Sequence, residues 1–182
     1  MKLETERLIL RPWEESDAET LYIFASDPEV GPAAGWPAHK SVEESRSIIK
    51  GVLSKNETYA IVPKKEGIAV GSISLMFAPS ADLARNEKEC ELGYWIGKPF
   101  WGQGLVPEAA RELLRHAFLD LNLERVWCGY YDGNVKSKRV QEKCGFKYMW
   151  TTEEVDVPQM NETRTGHVNC LTREEWLAMN NE

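Results

Sequence analysis

Apolar and polar positions change period several times along the chain, and each change marks an element. Leu8-Ile9-Leu10 followed by Arg11-Pro12 reads as a first strand, stopped by proline. Ser16-x-x-Glu19 has the form of a capping box opening a short helix to about Ala25. Residues 27–40 carry three prolines and two glycines, a loop with Trp36 inside it. Ser41-x-x-Glu44 is a second capping box, ahead of a helical stripe of Val42, Ile48, Ile49, Val52 and Leu53. Strands follow near 57–63 and 68–78, joined by a Lys64-Lys65-Glu66-Gly67 turn.

Residues 88–97 alternate strictly, which puts Glu89, Glu91, Gly93 and Trp95 on one face of a strand and Cys90, Leu92, Tyr94 and Ile96 on the other. A helix is predicted from about 105 to 121, with Leu105, Val106, Ala109, Ala110, Leu113, Leu114, Ala117, Phe118 and Leu121 on its apolar stripe. Pro107 is compatible because it falls in the first turn. A strand at 125–131, a helix at about 135–144 and strands near 146–157 and 164–171 follow. Thr172-x-x-Glu175 opens a terminal helix. No repeat or linker interrupts this order, so residues 1–182 read as one α/β (α+β) domain.

Composition narrows the class. The 182 residues are 42% hydrophobic and 28% charged, a soluble globular balance. The formal charge of −7 argues against a nucleic acid or an anionic membrane as a partner for the whole surface. No signal core and no membrane-length apolar run is present, so a cytoplasmic protein is expected. Cys90, Cys128, Cys144 and Cys170 have no metal-hook spacing and read as buried thiols, and His39, His116 and His167 are scattered, so no metal site is expected. The charge is uneven, however. Residues 132–147 hold Lys136, Lys138, Arg139, Lys143 and Lys147 against Asp132 and Glu142, a local +3 that leaves −10 for the remainder. A basic helix on an acidic chain suits a polyphosphate ligand.

Between the alternating strand and the long helix lies Gly97-Lys98-Pro99-Phe100-Trp101-Gly102-Gln103-Gly104-Leu105-Val106. Glycines there let backbone approach a ligand, and a helix start favours anions. The segment is neither a P-loop, since Gln103 follows Gly102, nor a dinucleotide loop, which needs a further glycine. It resembles the acetyl-CoA loop of the GNAT N-acetyltransferase superfamily, Gln/Arg-x-x-Gly-x-Gly/Ala. Gly104 matches, while Trp101 and Val106 depart from the pattern. Phe100-Trp-Gly-Gln-Gly-Leu-Val-Pro-Glu-Ala-Ala110 and Glu91-Leu-Gly-Tyr-Trp-Ile96 are similar to the branch that acetylates ribosomal-protein N-termini. Asn134-x-x-Ser137 with Glu142-Lys143-x-Gly145-Phe146 matches a second superfamily motif. Thr5-Glu6-Arg7-Leu8-x-Leu10-Arg11-Pro12 and Thr172-Arg-Glu-Glu-Trp176 extend the likeness over nearly the whole chain.

The resemblance implies a mixed, mostly antiparallel sheet flanked by helices, with the strands near 88–97 and 125–131 splayed to admit acetyl-CoA. It places the pantetheine against the backbone of Trp95 and Ile96 and the pyrophosphate on Trp101, Gly102, Gln103, Gly104, Leu105 and Val106. Asn134, Ser137 and Lys143 complete the cofactor set, and the missing cation at Trp101 passes to backbone amides or to another lysine. The implied reaction is direct attack of an amine, a protein N-terminus or a small molecule, on the acetyl thioester. Glu91 is the candidate base, directly or through water, with Glu89 its alternate and a candidate substrate contact. A backbone N–H near Ile96 would serve the oxyanion. Gln141 stands where many relatives carry an acidic tyrosine, so Ser137 takes the acid role; Tyr130 and Tyr131 are further hydroxyls. Trp36 and an acidic mouth of Glu153, Glu154, Asp156 and Glu162 are the candidate acceptor walls, the latter suited to a cationic amine. The resemblance also admits a homodimer. The alternative from another class is a non-catalytic acetyl-CoA sensor on the same fold; a nucleotide hydrolase is disfavoured by the failed P-loop.

Overall fold

The computed structural model describes residues 1–180. Eight strands form one sheet: β1 Leu3–Glu4, β2 Leu8–Arg11, β3 Thr58–Pro63, β4 Gly71–Met76, β5 Glu89–Ile96, β6 Arg125–Tyr131, β7 Lys147–Val157 and β8 Glu162–Thr172. Their order is β1-β2-β3-β4-β5-β6-β8-β7. Every neighbouring pair is antiparallel except β5 with β6. The α-helices are α1 Ala18–Ala25, α2 Val42–Ile48, α3 Leu105–Arg115, α4 Val135–Lys143 and α5 Arg173–Asn180.

The single parallel pair positions the site. β5 and β6 are in register only at Glu89↔Arg125, Cys90↔Val126 and Glu91↔Trp127. Beyond those pairs the strands part, and the Cys128 thiol reaches the Leu92 carbonyl (3.2 Å) at the apex of the opening. β4 continues to pair β5 as far as Gly71↔Ile96, so β5 stays anchored on one side while its other edge opens.

Alternation along the central strands feeds two cores. Tyr59, Ile61, Ile73, Leu75, Cys90, Leu92 and Ile96 pack with the apolar stripe of α3. Ala60 and Val62 turn the other way, toward Trp13, Leu21, Ile49 and Leu53 of the α1–α2 layer, with Trp95 against them. Glu91, Gly93 and Trp95 therefore belong to the α1–α2 face of β5, and Tyr94 to the α3–α4 face. The long stripe predicted for 105–121 is buried as expected, but its helix is α only to Arg115 and continues as a π-turn, His116–Asp120. The 42–53 segment likewise ends in a π-turn, Ile49–Leu53, and Val52 is 51% exposed rather than part of the stripe.

Local signals fared unevenly. Thr172 and Glu175 form the reciprocal box, with the Glu175 amide donating to Thr172 Oγ1 (3.3 Å) and the Thr172 amide to Glu175 Oε2 (3.0 Å). Ser41 caps α2 through the Glu44 amide (3.0 Å). Ser16 does not cap α1. A 3-10 turn, Glu15–Asp17, precedes that helix, and Asp17 Oδ2 accepts from the Glu14 amide (2.9 Å) while pairing with Arg11 at 2.7 Å. A buried carboxylate with a guanidinium partner outcompetes an exposed serine for the turn. All four cysteines are free and buried.

Candidate functional site

The opening between β5 and β6 leads into a cavity of about 660 Å3. One end of it is built by backbone. Gly102 (φ +75°) and Gly104 (φ +76°) adopt left-handed conformations that a side chain resists. Gly104 is the N-cap of α3, and no side chain caps that helix. The Leu105 and Val106 amides have no intrahelical partner, and Pro107 has no N–H to strand. An uncapped, buried helix start with donors turned to a cavity fits a pyrophosphate.

The turn is held from outside by the short connection between β1 and β2. Glu108, in the first turn of α3, accepts from Thr5 Oγ1 (2.6 Å), the Arg7 amide (2.9 Å) and Arg7 Nε (2.6 Å). Arg7 also donates to the Gln103 carbonyl (3.0 Å). Gln103 thus does not line the cavity: its carbonyl is engaged by Arg7, and its side chain folds back on the Pro99 carbonyl (2.9 Å).

Trp101 has a different task from the one implied by its alignment. Its indole N–H donates to the Ile96 carbonyl (2.9 Å), pinning the loop to the end of β5. That carbonyl is therefore already satisfied from within the chain. The ring carries Lys136 Nζ at 3.9 Å from its centroid, a cation–π pair at the cavity wall. Lys136, one of the basic residues of the 132–147 segment, is thus the cation that stands at Trp101. Arg139 and Lys143 line the same wall. The other two basic residues of the segment are engaged elsewhere, Lys138 with Glu142 (3.9 Å) and Lys147 with Glu175 (2.7 Å).

Asn134 caps α4, accepting from the Ser137 amide (3.1 Å), and its Nδ2 donates to the Ala33 carbonyl (3.2 Å). It joins α4 to the 31–37 loop. Three residues on, Ser137 Oγ sits in a partly buried network. Tyr94 Oη is 2.8 Å from Ser137 Oγ and 3.1 Å from the Ser137 carbonyl. Gln141 is fully buried and donates to Ser137 Oγ (3.3 Å) and to the Gly129 carbonyl (3.1 Å). Gln141 Oε1 accepts from Asn169 Nδ2 (2.8 Å). When Tyr94 and Gln141 both donate to Ser137 Oγ, its two acceptor positions are filled and its own proton is left for the cavity. Burial holds the Tyr94 phenol far above its ordinary pKa, so it stays a proton-bearing donor. Tyr94 is a residue missed from sequence. Strand alternation placed it correctly opposite Glu91, but nothing local said that its hydroxyl would meet α4.

On the opposite face of β5, Glu91 lines the same cavity. Its Oε2 accepts from the Asp82 amide (3.1 Å) and the Leu83 amide (3.2 Å). Burial raises its pKa; the Leu83 and Asp82 amides offset part of that rise, and the Asp82 charge adds to it. A carboxylate so poised gains a proton more readily than a surface one. Glu89, the alternate, is not at the cavity. It is 7% exposed and accepts from Trp127 Nε1 (3.0 Å) and the Arg85 amide (3.2 Å). Burial pushes its pKa up, but those hydrogen bonds prevail and the net shift is downward. It fastens the 85–89 turn to β6, and its predicted contact with substrate is corrected accordingly.

Tyr130 and Tyr131 are wall residues: the first stacks on His167 (4.8 Å between centroids), the second lies under Arg164 (4.9 Å). Trp36 packs edge-on against Trp95 (5.6 Å, 73°), over Gly31, where any Cβ would collide with the indole. The predicted acidic mouth does not form at either cavity. Glu153, Glu154, Asp156 and Glu162 are exposed on the β7–β8 hairpin and line neither. Among the described residues no group of three His, Cys, Asp or Glu side chains is placed to hold a metal ion.

Comparison with known proteins agrees with this geometry. The chain is 34% identical to the FsC-acetyl coenzyme A-N(2)-transacetylase of Aspergillus fumigatus, over 97% of this chain and 78% of that protein. An acetyltransferase (GNAT family) from Bacillus anthracis superposes with a TM-score of 0.83 at 23% identity, covering 96% of this chain and 99% of the other. The ribosomal-protein-S5-alanine acetyltransferase of Vibrio fischeri superposes with a TM-score of 0.74 at 19% identity, covering 97% and 98%. The sequence signature of the Acetyltransferase (GNAT) domain spans residues 7–147. With its parted strands, uncapped glycine-led helix and Asn134-x-x-Ser137 cap, this chain belongs to the GNAT acetyltransferase family.

Proposed function

We propose that β5 divides the labour of acetyl transfer between its two faces, Glu91 serving the amine and Ser137 the leaving sulfur. The chain is an acetyl-CoA-dependent N-acetyltransferase. Acetyl-CoA supplies an activated carbonyl whose carbon bonds to the amine nitrogen as its C–S bond breaks, the electron pair leaving on sulfur. Leu105 and Val106 amides, with Lys136, Arg139 and Lys143, would hold the anionic part of the cosubstrate. Glu91 takes the proton shed by the amine, directly or through water. Ser137 gives its cavity-facing proton to the sulfur, with Tyr94 and Gln141 orienting it. Solvent then returns a proton to Ser137 and removes one from Glu91, so the sum is an N-acetyl amide and a free thiol.

The observation that carries this reading is the separation of Glu91 and the Tyr94–Ser137 pair onto opposite faces of the strand that borders the opening. It also favours an enzyme over a sensor, because binding acetyl-CoA alone requires neither group. Four free, buried cysteines support a reducing, cytoplasmic setting. The test is amine-dependent thiol release from acetyl-CoA. Release that needs an amine and falls in both Glu91→Gln and Ser137→Ala supports the assignment. Cosubstrate binding without release from any amine would reduce the chain to a sensor.

A further inference from the structure

A second cavity of about 640 Å3 lies on the α1–α2 face of the sheet. It meets the first at Ala34, Met76, Gly93, Tyr94 and Trp95, at the edge of the β5–β6 opening. Resting on the transferase reading above, we infer that this cavity receives the body of the acceptor. The acceptor is accordingly a compact primary amine with an aromatic or branched aliphatic body.

The lining decides between acceptor classes. Trp36 and Trp95 form one wall, edge to face, and Met76 and Phe77 belong to another. The charged lining is one carboxylate, Glu44, and one ammonium, Lys55, with no net charge. Glu44 is already engaged by the Lys40 amide through Oε2. His39 is drawn below its ordinary pKa by burial, against a smaller opposing pull from Glu44, so it adds little positive charge at neutral pH. A polyamine would find one carboxylate for its further ammonium groups, already engaged and matched by the Lys55 ammonium in the same lining. The four hairpin acids that might have served it stand elsewhere.

A protein N-terminus is served no better. A peptide that docked by adding a strand would need a free edge in the cavity floor. Here β4 is paired on both sides, Thr58↔Ser74 with β3 and Ser74↔Gly93 with β5, and the unpaired edge of β5 borders the opening assigned to acetyl-CoA. The Ser72 hydroxyl is likewise committed, accepting from Trp13 Nε1 (3.2 Å) and donating to the Tyr59 carbonyl (3.3 Å). The volume and the mostly apolar walls suit a small molecule. Gly93, at the seam, keeps the route to the opening clear: a Cβ there would meet the Met76 methyl at 3.0 Å.

The experiment is steady-state thiol release with saturating acetyl-CoA and three probes: 2-phenylethylamine, spermidine and a tetrapeptide beginning with serine. Phenylethylamine is expected to exceed both others by about twentyfold or more in kcat/KM, the range that burial of a phenyl body supplies. Ser74→Phe adds bulk to the cavity floor without removing core packing. It should raise the KM for phenylethylamine about tenfold while the KM for acetyl-CoA stays within about twofold. Preference for the peptide or for spermidine would overturn the inference, as would a phenylethylamine KM unmoved by Ser74→Phe. Should no probe release thiol while acetyl-CoA still binds, the transferase reading passes to the wider amine screen described above. Calorimetric titration of phenylethylamine then decides this inference separately. Binding that Ser74→Phe abolishes upholds it, and absence of binding to the unmodified chain overturns it.

Discussion

The two faces of β5 are built on different principles. Toward α3 and α4, the polar groups are linked in a chain from Tyr94 through Ser137 and Gln141 to Asn169, whose Oδ1 is left buried without a partner, and the wall adds backbone amides with three cations. Toward α1 and α2, a carboxylate held through one oxygen stands beside aromatic walls with few engaged polar groups. The first face is preorganised for one invariant ligand, and hydrogen bonds fix each atom. The second offers shape and apolar area, which are changed by swapping a few side chains. The contrast explains how one fold keeps its donor while its acceptor varies.

Removing Glu91 tests the second face most severely. Glu91→Gln should lower kcat/KM about 100-fold near pH 7, and the deficit should shrink as pH rises toward the amine's own pKa. Because burial raises the Glu91 pKa, its inactive protonated form takes over at a higher pH than for a surface carboxylate. The acidic limb of the native pH–rate profile should thus lie above the usual carboxylate range and disappear in the variant. An unchanged profile would dissociate the carboxylate from proton removal.

Ser137→Ala should lower kcat about 30-fold and leave acetyl-CoA affinity within about twofold. Tyr94→Phe should cost less, and the double variant should be no worse than Ser137→Ala, since the tyrosine acts through the serine. Additive losses would break the picture of a single network. Gln141→Leu tests its foundation. It leaves Asn169 Nδ2 without its acceptor and Ser137 Oγ without one donor, and should destabilise the fold by about 2 kcal/mol, read as a lower denaturation midpoint. The smallest effect is expected at the exposed rim. Lys136→Ala should raise the KM for acetyl-CoA about threefold at low salt, with the difference fading as ionic strength rises.

What could be read from sequence follows the range over which each interaction acts. The 105–121 stripe, the glycine-led loop and the helix at about 135–144 are signals contained in a few neighbouring residues, and each is found where the pattern puts it, whereas Asn134, read as a cofactor contact, is seen capping that helix. Alternation in 88–97 sorted Glu91 from Tyr94 correctly, because a strand's period is fixed by its backbone. It could not identify what each side chain meets. Glu89 looks like an active-site twin of Glu91, yet Trp127, 38 residues away, claims it. Lys136 over Trp101 and Ser137 against Tyr94 likewise depend on how α4 docks, a tertiary event that leaves no mark on either segment alone. The acidic hairpin misled for the opposite reason. Its composition is local, but the direction of its side chains is set by an edge strand with two register irregularities.

The clasp of Thr5 and Arg7 on Glu108 has a consequence for the order of assembly. These contacts join residues about a hundred positions apart, among the most distant hydrogen bonds in the molecule. Contacts that close so large a span of chain are non-local, the kind that slows folding because closure entropy is lost before they form. The turn proposed to receive the phosphates is therefore held in place only once the β1–β2 turn and α3 have met. Acetyl-CoA, by binding that turn, would act as a latch on the folded chain. It should retard global unfolding by a factor of 1 + [L]/Kd, with [L] the free acetyl-CoA concentration, so the chain's kinetic lifetime would report the acetyl-CoA level around it.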